Sequence, residues 1–237
     1  MRPSAAAWHD VEHGAYDADL SLWRDLAEAA EGPILDLGAG TGRVSIDLAA
    51  RGHEVVALDA DPELLDTLAA RAPGVTTVTA DTRSFHLGRA FALVIAPMQL
   101  AQILGGRDSR VAMLACVHAH LNPGGTFAAA LAEPRDAASD DEIAPPLPDM
   151  LDSDGWVLSS LPVSIEERNG TVVVTRRRLS VSPAGDLDED TVEIVFDLVT
   201  GEEFEDEARG VGLEPVERRT VPETLDHIGS TVIVCRR

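Results

Sequence analysis

Ile34-Leu35-Asp36-Leu37-Gly38-Ala39-Gly40-Thr41-Gly42-Arg43 is the stretch on which the reading of this chain turns. A short apolar run ends in an acid. Glycines then alternate at 38, 40 and 42, and an amphipathic pattern (Val44, Ile46, Leu48, Ala49) begins at once. That order predicts a strand feeding a tight glycine turn that opens a helix. Glycine admits positive φ and lets a ligand approach the main chain with no Cβ in the way. The first turn of the helix leaves free N–H groups aimed at whatever sits there.

Outward from this turn, strand and helix patterns alternate. A helix is expected over 17–30, strands at 34–37, 55–58, 75–79, 91–96 and 126–131, and helices at 43–51, 63–71 and 107–121. Asp61-Pro62 is a helix start, with Asp capping and Pro in the first turn. Residues 1–16 read as irregular. Alternation with short joints predicts an α/β fold, a Rossmann-like, doubly wound, mostly parallel sheet with helices on both faces. Ligands in such sheets sit at the carboxyl ends of the strands, so Asp36, Gly38, Asp59, Asp81 and the Ala96-Pro97-Met98 turn should share one rim.

After residue 132 the texture changes. Residues 133–150 are rich in Pro, Asp and Ala and read as a long exposed or mobile loop. Three β-rich runs follow at 156–166, 171–181 and 191–199, with Asn169-Gly170 as a hairpin turn between the first two. They predict an antiparallel meander attached to the main sheet, serving the acceptor side or a dimer contact. Thr200-x-x-Glu203 is a capping box for a helix over 201–210. Strands at 213–220 and 230–235 should close the sheet, the last one antiparallel. The division is therefore 1–132 with 200–237 as the main domain and 133–199 as an insertion within it.

The turn excludes one ligand class: a dinucleotide-binding G-x-G-x-x-G would need its third glycine at 43, where Arg43 stands. Acid-x-Gly-x-Gly-x-Gly instead resembles the class I S-adenosylmethionine-dependent methyltransferases. The resemblance implies that Gly38, Ala39, Gly40, Gly42 and Arg43 lie under the amino-acid end and ribose of S-adenosylmethionine, with Asp36 helping to hold the ammonium. It assigns Asp59, with Ala60 beside it, to the ribose hydroxyls, and Asp81 with the Thr82 N–H to the adenine. Ala96 to Met98 would pass under the methyl donor and frame the acceptor pocket, and Tyr16, the sole tyrosine, would close over the cofactor. Leu121-Asn122-Pro123-Gly124-Gly125 resembles the turn the family places before its fifth strand. Two departures stand out. Ala96-Pro97-Met98-Gln99 replaces the Asn/Asp-Pro-Pro signature, which speaks against a planar amine acceptor such as a nucleobase. Ala92 replaces a common acid at the far end of strand four.

Topology adds a catalytic expectation. If the penultimate strand is parallel and the last returns antiparallel, the joint 221–229 falls on the ligand rim. It carries Glu223, Asp226 and His227, and His227 with Glu223 could take a proton from an acceptor. His118 and His120 read as structural, His86 is uninformative, and no His/Cys/Asp grouping has metal spacing.

Composition narrows the partners. With 41 acids against 19 bases the net charge is −22, which repels nucleic acid. Hydrophobic residues make up 45%, enough for a core, and no apolar run reaches membrane-spanning length. Cys116 and Cys235 in apolar segments suit a reducing cytoplasm. The expectation is a cytoplasmic S-adenosylmethionine-dependent methyltransferase acting on an N or O atom of a small molecule, with room for a homodimer. Two alternatives stand beside it: a regulatory protein that binds the same cofactor without transfer, and a nicotinamide oxidoreductase.

Overall fold

The computed structural model describes residues 3–132, 147–224 and 227–237. Its main body is a seven-stranded sheet built from β1 (Ile34–Leu37), β2 (Val55–Asp59), β3 (Thr76–Thr79), β4 (Phe91–Ala96), β5 (Leu121–Leu131), β10 (Glu214–Val221) and β11 (Ser230–Arg236). The order is β10-β11-β5-β4-β1-β2-β3. Strands β1 to β5 pair in parallel, while β11 is antiparallel to both β5 and β10.

The period of two along each strand sorts its side chains onto two cores. Leu35, Leu37, Val94, Phe127 and Ile233 pack on one face with α5 (Arg107–His120) and α6 (Gly201–Gly210). Ile34, Ala57, Leu93, Ile95 and Val232 pack on the other with α2 (Leu20–Glu28), α3 (Arg43–Ala50) and α4 (Pro62–Arg71). Burial on both faces explains why these strands read as continuous apolar runs. The capping box at Thr200 and Glu203 is formed, and Asp61 accepts from the Glu63 N–H at 2.9 Å with Pro62 in the first turn.

The amino terminus departs from expectation. Residues Ala5–His13 form a helix, α1, capped by Ser4, whose hydroxyl accepts from the Ala7 N–H at 3.1 Å. The cap and three alanines were the local signal. The helix has little apolar stripe because polar partners far away in the sequence hold it.

The second correction concerns the insertion. It is a separate four-stranded antiparallel sheet, ordered β6 (Asp149–Ser153), β7 (Trp156–Arg168), β8 (Thr171–Val181), β9 (Leu187–Asp197), with no strand pairing to the main sheet. Most of the expected loop 133–150 lies outside the described residues, but Asp149 and Met150 already belong to β6. Asp154-Gly155 turns β6 into β7 with φ of 52° and 78°, the same positive-φ chemistry as Asn169-Gly170 with 52° and 80°.

Side chains, not strand pairing, join the two sheets. The buried Glu12 of α1 accepts from Arg178 Nε and Nη2, both at 2.8 Å, and from the Ser160 hydroxyl at 2.7 Å. Burial pushes the Glu12 carboxyl up, but the Arg178 and Ser160 hydrogen bonds outweigh it and leave its pKa below the ordinary value. At the other end Arg110 bridges Glu207 and Asp197, and Asp197 also accepts from the Gly106 N–H. No helix among the described residues is long and apolar enough to cross a membrane.

Candidate cofactor and acceptor site

A cavity of about 450 Å³ opens at the carboxyl ends of β1, β2 and β4. Its floor is the glycine turn. Gly38, Gly40 and Gly42 have φ of 64°, 56° and 95°, a region L side chains rarely adopt. A Cβ on Gly38 would fall 2.8 Å from Leu100, and one on Gly40 only 2.2 Å from His9. The turn is therefore glycine for backbone and for space at once.

Asp36 ends β1 fully enclosed. Ser45 Oγ donates to its Oδ2 at 2.6 Å, while Oδ1 is buried and has no partner among the described residues. Burial raises the carboxyl to about 7. A buried carboxylate oxygen left without a donor is costly, and this one faces the cavity. Asp59, ending β2, spreads its oxygens over two backbone groups: Oδ2 accepts from the Gly40 N–H and Oδ1 from the Asp61 N–H, each at 2.9 Å. One lone pair on each oxygen stays available. Asp81 is engaged by Arg83, whose guanidinium and backbone N–H hold the carboxyl down at about 2. Thr82 beside it is buried.

Of the residues expected at the cofactor, Asp36, Gly38, Ala39, Arg43, Asp59, Ala60, Asp81, Thr82 and Met98 line the cavity. Gly40 and Gly42 shape the turn beneath it, and Ala96 is buried behind it. Arg43 sits where a third dinucleotide glycine would be. It grips Asp19 at 2.5 and 2.8 Å and the Tyr16 carbonyl at 2.9 Å, tying the segment before α2 to the turn. Tyr16 is buried outside the lining, with the Arg43 guanidinium 5.0 Å above its ring and the His227 ring 4.7 Å away. Thus the joint after β10 stands beside Tyr16. His227 and Glu223 do not line the cavity, Glu223 is exposed, and Asp226 lies outside the described residues. Met98, in the turn after β4, holds φ of 54°, a strained value for a non-glycine residue.

Two groups of contributors were not foreseen. His9 and His13 come down from α1, with ring centroids 4.9 Å apart. Burial keeps both from protonating and drives His13 to about 4, with its Nδ1 buried and unpartnered. Ile194 and Phe196 of β9 reach the cavity from the second sheet and join Ile103 and Leu104 in an apolar wall. His120 is structural as expected, bonded to the Cys116 carbonyl and the Leu87 N–H. No grouping of metal-binding side chains occurs among the described residues.

With this geometry in place, comparison with known proteins is informative. Residues 34–125 match a family model described as a methyltransferase domain. The matched segment runs from β1 through the turn before the body of β5, and so contains the whole glycine floor. A cypemycin N-terminal methyltransferase from a Streptomyces species is 32% identical over 46% of this chain and 45% of its own length. The curated relatives are matched over only 22% to 45% of their lengths. Solved structures extend the likeness of fold to the whole chain. The sugar N-methyltransferase KedS8 from Streptoalloteichus sp. superposes with a TM-score of 0.81, at 17% identity, over 100% of this chain and 94% of its own. CalS10, an amino pentose methyltransferase from Micromonospora echinaspora solved with S-adenosylmethionine bound, gives 0.72 at 22% identity, over 100% and 99%.

Proposed function

We propose that this protein transfers a methyl group from S-adenosylmethionine to an amine nitrogen of a small molecule. The observation that carries the reading is the unpartnered Asp36 Oδ1, buried at the glycine turn, where a ligand ammonium group supplies the missing donor. Asp59 has free lone pairs for hydroxyls, and Thr82 is set beside the third strand end for a base. Bound there, S-adenosylmethionine would supply a methyl group already activated on a sulfonium. The protein's share of the work is then placement. Met98 is held in strained backbone at the donor end, and the wall of Ile103, Leu104, Ile194 and Phe196 excludes water and favours an acceptor with an apolar face.

An amine acceptor agrees with the chemistry of the walls. A neutral amine is nucleophilic without a strong base, and burial makes both imidazoles that line the cavity weak ones, lowering His9 and taking His13 to about 4. His227, its ring 4.7 Å from that of Tyr16, and Glu223, exposed on the same joint, have a better claim to closing the rim than to proton transfer. Similarity to the cypemycin N-terminal methyltransferase and to the sugar and amino pentose methyltransferases supports a small amine-bearing acceptor.

Calorimetry with S-adenosylhomocysteine tests the reading. The free Asp36 carboxyl, raised to about 7, holds a proton below that pH. Pairing with an ammonium favours the carboxylate, so binding below pH 7 should release close to one proton, and affinity should fall as pH drops below 7. Asp36→Asn should abolish the release and weaken binding about tenfold or more at pH 8. A protein that ignores S-adenosylhomocysteine, or binds NADH in preference, would refute the proposal.

A further inference from the structure

His9 is locked into one tautomer by its neighbours. Arg71 holds the Asp10 carboxylate through both of its terminal nitrogens, so Asp10 is ionised and accepts only. The Thr41 hydroxyl, inside the glycine turn, has one hydrogen, and it goes to Asp10 Oδ1 at 2.7 Å. Thr41 Oγ1 also meets His9 Nδ1 at 3.1 Å, and with its hydrogen committed it can only accept there. His9 therefore carries its proton on Nδ1. Burial disfavours the charged ring against the pull of Asp10, Asp59 and Glu12, with Arg43 adding to the burial effect. Nε2 is left as a bare lone pair.

That lone pair is in a particular place. His9 lines the cavity, and Nε2 is the ring atom nearest the place a Cβ on Gly40 would take. No hydrogen bond reaches it from the described residues. The Gly40 N–H is held by Asp59 Oδ2. One glycine thus has a carboxylate at its nitrogen and an imidazole acceptor over its Cα. Two acceptors of different chemistry, flanking one point of the cavity floor, match a pair of neighbouring hydroxyls.

We propose that His9 is a cofactor-binding residue, its Nε2 accepting one of the two ribose hydroxyls of the nucleoside whose other hydroxyl Asp59 takes. The proposal rests on the functional reading above. It makes α1 part of the binding machinery: Arg71, Asp10 and Thr41 fix the ring's tautomer, and the ring reads the sugar. It also gives Thr41, at a position where the glycine pattern leaves the residue free, a specific duty.

A cycle of His9→Phe against 2′-deoxy and 3′-deoxy S-adenosylhomocysteine tests it by calorimetry. The wild-type protein should lose about 3- to 10-fold in affinity for one deoxy analogue through His9, and His9→Phe should bind the parent compound weaker by a similar factor while losing that discrimination. Discrimination against both analogues unchanged in His9→Phe overturns the proposal. Should His9→Phe fail to fold, ¹⁵N NMR of the wild-type imidazoles decides. A free protein with the proton on Nδ1 of His9, whose Nε2 resonance moves upfield with S-adenosylhomocysteine and less with one deoxy analogue, supports the assignment. A proton on Nε2, or no shift, overturns it. Absence of any S-adenosylhomocysteine binding would instead sink the functional reading itself.

Discussion

The two sheets meet at one cavity but contribute to it by opposite logic. The seven-stranded sheet brings its ligand groups at strand ends, each within a few residues of the strand that places it: Asp36 after Leu35, Asp59 after Leu58, the glycines at once after β1. The four-stranded sheet contributes the middle of a strand, Ile194 and Phe196, and is held in position by contacts that span 166 residues from Glu12 to Arg178. On the proposed reading, the cofactor groups at the strand ends are placed locally, while the acceptor wall, like His9, is brought in from afar. A mutation in the first group should strike cofactor affinity, and one in the second should strike stability or the acceptor.

The most severe break should come at the floor. Gly40→Val puts a β-branched residue at φ of 56° and a Cβ 2.2 Å from His9 Nε2. S-adenosylhomocysteine affinity by calorimetry should fall at least about 100-fold, or roughly 2.7 kcal/mol. Next is the seam between the sheets. Glu12→Ala leaves the partly buried guanidinium of Arg178 without its carboxylate, and leaves Arg176 with Asp149 alone. Loss of such a partner should cost about 3 kcal/mol in urea unfolding, and unchanged stability would show that α1 is not clamped to the second sheet.

Two smaller effects sharpen the contrast. Asp59→Ala should weaken S-adenosylhomocysteine about 10- to 100-fold, since charged hydrogen bonds are each worth about 1.5–3 kcal/mol. Its near neighbour Asp61, a helix cap, should cost about 1 kcal/mol of stability as Asp61→Ala with affinity nearly intact; equal effects on affinity would erase the distinction. Phe196→Ala should raise the acceptor KM about tenfold, consistent with losing part of an apolar contact, while cofactor affinity stays within about twofold. Cofactor affinity falling as far as acceptor affinity would mean that the second sheet is no separate wall.

The same contrast explains what the sequence disclosed. Strand edges, the positive-φ glycines, the Asp61-Pro62 start and the Thr200 box rest on interactions within a few residues, and local pattern suffices to read them. Nine of the thirteen residues expected at the cofactor line the cavity for that reason. Helix α1 escaped because its fixing contacts, Glu12 with Ser160 and Arg178 and Asp10 with Arg71, are distant, and its composition shows little amphipathic stripe. The β6–β7 hairpin was legible in Asp154-Gly155 and was passed over beside a Pro-rich, acidic stretch. The detachment of the second sheet was not legible, since alternation specifies a buried face and not the surface that buries it.

The clamp on α1 also sets an order of events during synthesis. Residues 5–13 leave the ribosome well before the partners of Glu12, which are made about 150 residues later. Until β7 and β8 exist, α1 has only Arg71, Glu63 and the turn to hold it, and an isolated helix of nine residues is too short to persist alone. The glycine floor can therefore form early with its roof still open. The site closes only when the second sheet has formed and made its long-range contacts with α1, which places completion of the cavity after the glycine floor in the maturation of this chain.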